Sequence, residues 1–485
     1  MLFNTREFLL FFPGVVLFYF VLPKRIKNYW LLACSYFFYM CWEPVHVIYL
    51  LFCTAVSFLA GIVLDKNRDK KGNRAFLALF VAADFIPLFL FKYLGFLTES
   101  INTVLSGIGI KTLPGVSWLL PVGISFYTFQ TVSYIVDVYR KETEREKNPF
   151  QYALFVSFFP QLVAGPIEHS HDLLPQLKKE RPFSYENFRK GMITMAWGFF
   201  VKMVIADRIS VIVDTVFDDP ARYGGWFLIL GTFLFSFQIY CDFAGYTTIA
   251  LGAARILGIN LTDNFKAPYL SGNVNEFWNR WHISLQRWFK DYLYIPLGGS
   301  RKGKGRTMLN KMIVFLVSGL WHGAAWHFVV WGALNGLYQL IYELIKPLFK
   351  KIKKDKSVFY VLWRAASVCL TFVLIAFAWI FFRSKNIETA LEIVRSIFTV
   401  HNFHVLFDGS LSELGLTGRS LICAAVSLLI LVVMDVMKYR DISVGDWILK
   451  RKTILRWAIY IILFTVILIF GVYGDSPEQF IYFVF

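Results

Sequence analysis

Apolar stretches long enough to cross a bilayer alternate along this chain with short polar intervals in which lysine and arginine collect. A helical crossing of a hydrocarbon core about 30 Å thick takes about 20 mostly apolar residues, and basic residues gather on the cytoplasmic side. Those two rules assign a topology. Residues 8–22 form the first span, and Lys24, Arg25 and Lys27 behind it put the N-terminus outside. No basic leader or small-residue cleavage site accompanies this span, so it is expected to be retained rather than removed as a signal peptide. Residues 30–64 predict two short crossings joined near Glu43 and Pro44, ahead of the basic loop 65–74. Residues 75–96 lead outward to a nearly uncharged loop, 98–111, and 119–138 return to the charged loop 140–147.

The second half is less regular. Residues 150–167 are apolar but interrupted by Pro160, Gly165 and Pro166, which predicts a re-entrant or broken segment. Residues 191–213 lead out to Asp214, Asp218 and Asp219, and 226–259 return with a polar break at Asp242. The stretch 312–345 has basic clusters at both ends, Arg301 to Lys311 before it and Lys346 to Lys356 after it. An even number of crossings is therefore required in a segment short for two full spans. With Gly319, Gly323 and Gly332 weakening a straight helix, it predicts a hairpin or broken helix pair carrying Trp321 and His322 at membrane depth. Spans at 358–382, 421–437 and 454–472 bring the total to about ten full crossings plus re-entrant pieces. Residues 386–418 predict an outer amphipathic segment, and parity leaves the tail 474–485 outside. The expectation is an all-α, polytopic protein of the cell membrane, one domain over residues 1–485, with both termini extracytoplasmic.

Composition sharpens this picture. Of 485 residues, 57% are hydrophobic, 19% aromatic and only 17% charged, more apolar surface than a water-soluble core can hide. Disordered chains, nucleic-acid-binding domains and most soluble enzymes are excluded. The excess of 50 Lys and Arg over 33 Asp and Glu, net +17, lies in clusters between spans, as cytoplasmic loops require. The six cysteines stand singly with no CxxC pair, so no disulfide frame or zinc site is expected. No ligand set with metal-binding spacing is evident, and no metal is expected.

Two histidines carry candidate chemistry. His282 lies in an aromatic, charged run, Phe277-Trp278-Asn279-Arg280-Trp281-His282-Ile283-Ser284-Leu285, and His322 lies in Ser318-Gly319-Leu320-Trp321-His322-Gly323. An ionisable group at membrane depth marks a functional site by default. An imidazole can take a proton from a hydroxyl nucleophile and return it, which suits acyl transfer. The alternative is a neutral histidine satisfied by a backbone carbonyl.

Taken with Asp291-Tyr292-Leu293-Tyr294-Ile295-Pro296-Leu297-Gly298-Gly299, these strings resemble the membrane-bound O-acyltransferase family, and within it the bacterial alginate O-acetylation branch. Phe159-Pro160-Gln161-Leu162-Val163-Ala164-Gly165-Pro166-Ile167 and Tyr240-Cys241-Asp242-Phe243-Ala244-Gly245-Tyr246 are similar to further signatures of that branch. The motif-bearing core spans residues 150–345. Departures occur at His169, where an arginine is common after Gly-Pro-Ile, and at Thr248, where relatives often carry an acidic residue. The resemblance implies a fold built around a central tunnel, with His322 the catalytic histidine and His282 a second one that helps place the acyl donor. Trp321, Arg280 and Asp291 become supporting candidates, and Lys266, Lys290 and the 301–311 loop candidates for the phosphates of coenzyme A. The terminal string Phe480-Ile481-Tyr482-Phe483-Val484-Phe485 reads as an aromatic interfacial anchor. It is also similar to the C-terminal motif of surface O-acylation systems, which makes Tyr482 a candidate acyl relay.

The resulting expectation is an O-acyltransferase moving acetyl from cytoplasmic acetyl-CoA, a substrate rather than a bound cofactor, towards an exported polysaccharide. A separate extracytoplasmic acetyltransferase is the expected partner. Two readings compete: D-alanyl transfer to teichoic acid from a carrier protein, and a polysaccharide transporter without chemistry. The absence of half-repeats weighs against the transporter.

Overall fold

Lipid offers no hydrogen-bond partner to a backbone amide, so apolar stretches in such a chain must satisfy themselves as helices. A computed structural model describes residues 1–116, 118–163, 165–349, 357–473 and 481, and among them the regular structure is helical, with one isolated antiparallel bridge between Phe265 and Trp281. The protein is an all-α, multi-pass membrane protein. Seven helices among the described residues are long and apolar enough to cross a membrane: Pro44–Lys66, Asn73–Gly107, Trp226–Ile256, Trp326–Leu348, Val358–Arg383, Gly418–Tyr439 and Thr453–Phe470. The other expected crossings are shorter or more polar. Arg6–Val21 has 16 residues, Lys24–Met40 has 17 and opens on three basic side chains, and Ile124–Arg140 has 17 and carries Asp137.

The chain divides into two compact units, the first comprising Met1–Met195 with Ala250–Thr262. Here the helix beginning at Asn73 runs on through a π-helical turn, Phe89–Tyr93, to Gly107, so the loop expected from residue 98 starts only after Gly107. The weakly charged 98–107 stretch contains nothing to stop a helix. Buried Asp84, inside this helix, accepts a 2.6 Å hydrogen bond from the Thr131 hydroxyl of Ile124–Arg140. The broken segment expected at 150–167 is present as two short helices, Pro149–Ser157 and Phe159–Leu162, separated at Phe158, where ψ is 107°. Asn148 caps the first, its side chain accepting from the Phe150 and Gln151 amides. Pro160 sits in the first turn of the second, where its missing N–H costs nothing.

The second unit comprises Ala196–Ile249 and Asp263–Phe485. Trp226–Ile256 continues unbroken through Asp242, where a polar break was expected. The Asp242 carboxylate is neutralised in place, with Lys202 Nζ 2.6 Å from one oxygen, and Lys202 also reaches Asp207 at 2.5 Å. The expected hairpin at 312–345 is formed by Gly303–His322 and Trp326–Phe349. Its glycines bring the two backbones into contact: a Cβ on Gly319 would meet the Phe328 carbonyl, and one on Gly332 the Phe315 carbonyl. Gly319→Leu is therefore expected to destabilise the protein by about 1–3 kcal/mol through overpacking, read as a lower thermal midpoint in detergent. The expected amphipathic segment at 386–418 begins as the helix Ile387–Thr399, capped by Asn386 and burying Ala390 and Ile393.

Candidate active site

His322 is the last residue of the Gly303–His322 helix, at the mouth of the hairpin link. Its buried ring is boxed edge-on by aromatic faces. Trp321 lies 4.8 Å away centre to centre, Trp331 5.1 Å and Phe382 5.3 Å, each inclined by more than 70°. Trp331 in turn stacks on Trp379 at 5.7 Å. Such a wall excludes water and strengthens any charge interaction inside it.

His282 reaches the same cluster from a different element. Its backbone adopts φ +48°, ψ +54°, a left-handed conformation that costs a non-glycine residue roughly 1–2 kcal/mol. The flanking chain enforces it. The Lys266 amide donates to the Arg280 carbonyl and the Ile283 amide to the Asn264 carbonyl, each at 3.0 Å. Asn264 Oδ1 also accepts from both the amide and the hydroxyl of Ser284. The imidazole, 1% exposed, packs against Phe243 at 4.7 Å and Trp321 at 5.9 Å. Trp321 thus touches both imidazoles, joining His282 and His322 in one aromatic cluster.

Burial pushes the His282 imidazole down to about 3 from an ordinary value near 6.5. The unfolded chain gains a proton as pH falls through about 6.5, while the folded chain does so only near 3. The stability tied to the neutral ring is therefore complete above about pH 6.5 and is lost progressively towards pH 3, at up to about 1.4 kcal/mol per pH unit. His282→Gln is expected to flatten that acid limb in thermal midpoints measured between about pH 4 and 7.

The supporting candidates are placed as follows. Arg280 turns towards Glu276, Nε to Oε1 3.2 Å, donates to the Lys266 carbonyl at 3.0 Å and lies 4.3 Å over the Tyr439 ring. Arg364 completes that cluster with bonds to Glu276 at 3.1 Å and the Tyr439 hydroxyl at 2.7 Å. Burial works to raise the Glu276 carboxyl, but the Arg364 guanidinium and the Gly272 amide outweigh it and hold the group below its ordinary value. Asp291 pairs with Arg287 at 3.9 Å on a π-helical turn, Lys290–Tyr294. Lys266 pairs with exposed Asp441 at 2.7 Å. A cleft of about 730 Å³ adjoins the Glu276 cluster, lined by Tyr338, Lys346, Trp363, Arg364 and Tyr439 among others.

Tyr482 lies outside the described residues, but its neighbour Ile481 is described. The Ile481 amide donates to Asp242 Oδ2 at 2.7 Å, and upstream the Val472 amide donates to the Met203 carbonyl at 3.0 Å. Sequence reasoning missed the Lys202–Asp207–Asp242 cluster, although a lysine in an apolar run followed five residues later by an aspartate was a visible signal. It also missed a group in the first unit: Asp137, His169 and His171 each offer a ligand atom within 4.8 Å of the others. The three residues are assembled by the fold, across two helices, and not by sequence spacing.

Comparison with known proteins fits this arrangement. The chain is 34% identical over 450 residues to the probable alginate O-acetylase AlgI of Pseudomonas syringae pv. tomato, covering 92% of this chain and 84% of the relative. It is 32% identical to the protein of that name from Pseudomonas putida, with 100% of both chains covered. The peptidoglycan O-acetyltransferase of Helicobacter pylori is 33% identical over 82% of this chain and 80% of its own length. The sequence profile of the membrane-bound O-acyltransferase family, MBOAT, matches residues 35–384, a range that holds His282, His322 and every aromatic side chain of their cluster. The chain belongs to the membrane-bound O-acyltransferase family and is an O-acyltransferase.

Proposed function

We propose that this enzyme takes an acetyl group from cytoplasmic acetyl-CoA and passes it through the membrane for O-acetylation of an exported cell-surface polysaccharide, handing it to a separate extracytoplasmic transferase. The observation that supports this most is the pair of buried imidazoles meeting on Trp321, because thioester-to-oxygen transfer needs a base inside a water-poor site. The names of the relatives, alginate and peptidoglycan O-acetylation enzymes, favour a small acyl group and a glycan acceptor.

In this reading His322 removes the proton from an attacking hydroxyl as its oxygen bonds to the thioester carbonyl carbon. The C–S bond breaks, and the proton passes from His322 to the departing thiolate, giving coenzyme A and an ester. His282, neutral and fixed by its backbone, shapes the donor side of the cluster. The attacking hydroxyl is proposed to be Tyr482, which would hold acetyl as a phenyl ester until the acceptor takes it. Two contacts support this choice: the Ile481 amide, one residue before Tyr482 in the chain, donates to Asp242, and the residue after Asp242, Phe243, packs on His282.

The test uses the full chain in proteoliposomes with acetyl-labelled acetyl-CoA. Label is expected on the protein, mapping to Tyr482 and absent from Tyr482→Phe. Label on a different residue, or none, removes the relay. Transfer from a D-alanine-loaded carrier in place of acetyl-CoA replaces the donor assignment.

A further inference from the structure

Asp137 lies in the last turn of the Ile124–Arg140 helix, wholly buried, and its carbonyl accepts the Glu142 amide where the chain reverses through Lys141. His169 caps the start of Ser170–Lys178 and is 2% exposed, and His171 lies two residues on, its side chain about one-third exposed. The two imidazole rings lie 5.1 Å apart, tilted by 76°. His171 Nδ1 is 3.6 Å from Asp137 Oδ2. In a tetrahedral zinc site with bonds of about 2.0–2.2 Å, neighbouring ligand atoms stand about 3.3–3.5 Å apart. One edge of such a site is therefore nearly formed, and the third ligand atom, within 4.8 Å of the others, needs a side-chain movement of up to about 1.5 Å at those bond lengths.

We propose that Asp137, His169 and His171 form a divalent-metal site suited to Zn²⁺, clipping the end of one helix to the start of the next. The ligand chemistry is that of two imidazoles and one carboxylate, a set that suits zinc and leaves a position for water. The partly exposed side of His171 supplies the entry path. Outer-shell partners are in place. The Ser170 hydroxyl donates to Asp137 Oδ2 at 2.9 Å and orients the carboxylate, while Asp172 Oδ2 lies 3.7 Å from His171 Nε2, on the side of the ring opposite the proposed ion. A carboxylate behind a ligating imidazole fixes its tautomer and raises its basicity. The competing arrangement is a simple ion pair between a protonated His171 and Asp137, which needs no contribution from His169.

The full chain, purified in detergent, stripped with a chelator and re-equilibrated with Zn²⁺ alone, is expected to retain about one equivalent after buffer exchange and to gain thermal stability. His169→Gln and His171→Gln should each weaken retention at least about 10-fold, and Ser170→Ala by roughly 10-fold. His171, being partly exposed, is the substitution that leaves folding intact. Co²⁺ in the wild-type chain should give the visible absorption of a tetrahedral nitrogen–oxygen site, a readout independent of any variant. No zinc held at micromolar concentrations, or equal retention by His171→Gln, overturns the site. Loss of binding in His171→Gln but not in His169→Gln overturns the three-ligand site in favour of one held by Asp137 and His171 without His169, and no binding in the wild-type chain favours the simple ion pair.

Discussion

Replacing His322 with alanine is expected to lower acyl transfer by about 10²–10⁴-fold, the span that a positioned proton acceptor contributes, while the protein still inserts and accumulates. Three aromatic rings close around that side chain, so the substitution leaves a gap of imidazole size without stranding a charge. A His322→Gln variant, which keeps most of the volume and cannot cycle a proton, separates the two effects. Both variants should lose turnover to a similar degree, whereas only the alanine should lower the thermal midpoint. Transfer that survives in the glutamine variant would remove His322 from the chemistry. The same assay on His282→Gln should show a smaller loss concentrated in the apparent affinity for the donor, because that ring is assigned to shaping rather than proton transfer.

Lys202→Met is expected to be the most damaging substitution to the fold itself. Lys202 is 1% exposed and stands between two carboxylates, Asp207 and Asp242, which are 3% exposed each. Removing the ammonium leaves buried negative charges uncompensated, which costs about 3–5 kcal/mol and is enough to abolish recovery of folded protein. The loss should be partly rescued by adding Asp207→Asn and Asp242→Asn, which remove the stranded charges. Folded yield from membranes, followed by size exclusion, reads the result. An unchanged yield in the single variant would show that the cluster carries no structural weight. Asp242→Asn alone should also weaken the hold on Ile481, whose amide Oδ2 accepts.

The helical architecture was legible because runs of apolar residues leave a backbone no other way to satisfy its amides. Where the reading slipped, a distant partner was the reason. Asp242 looked like a break in its span, and Lys202, forty residues earlier in the chain, makes it tolerable inside a continuous helix. The 98–107 stretch looked like part of an outer loop because it is nearly uncharged, yet it contains no proline or capping sequence to end the helix before Gly107. At the site, the two histidines and Trp321 stood out as strings of letters, but their common contact through one indole is tertiary and has no trace in the spacing. Arg280 stood close to His282 in sequence. The helix Val274–Arg280 turns its guanidinium instead towards Glu276 and Tyr439. Asp137, His169 and His171 were invisible as a group, since only the chain reversal after Arg140 and the broken 150–167 segment bring them together.

The glycine contacts at Gly319 and Gly332 leave no room between the hairpin helices for a solvent molecule at those two levels. Peptide N–H groups around them should therefore be among the slowest in the chain to trade hydrogen for deuterium in heavy water. A single bulky replacement at either glycine would loosen both strips of amides at once, and mass spectrometry of the flanking peptides would register it before any catalytic measurement did.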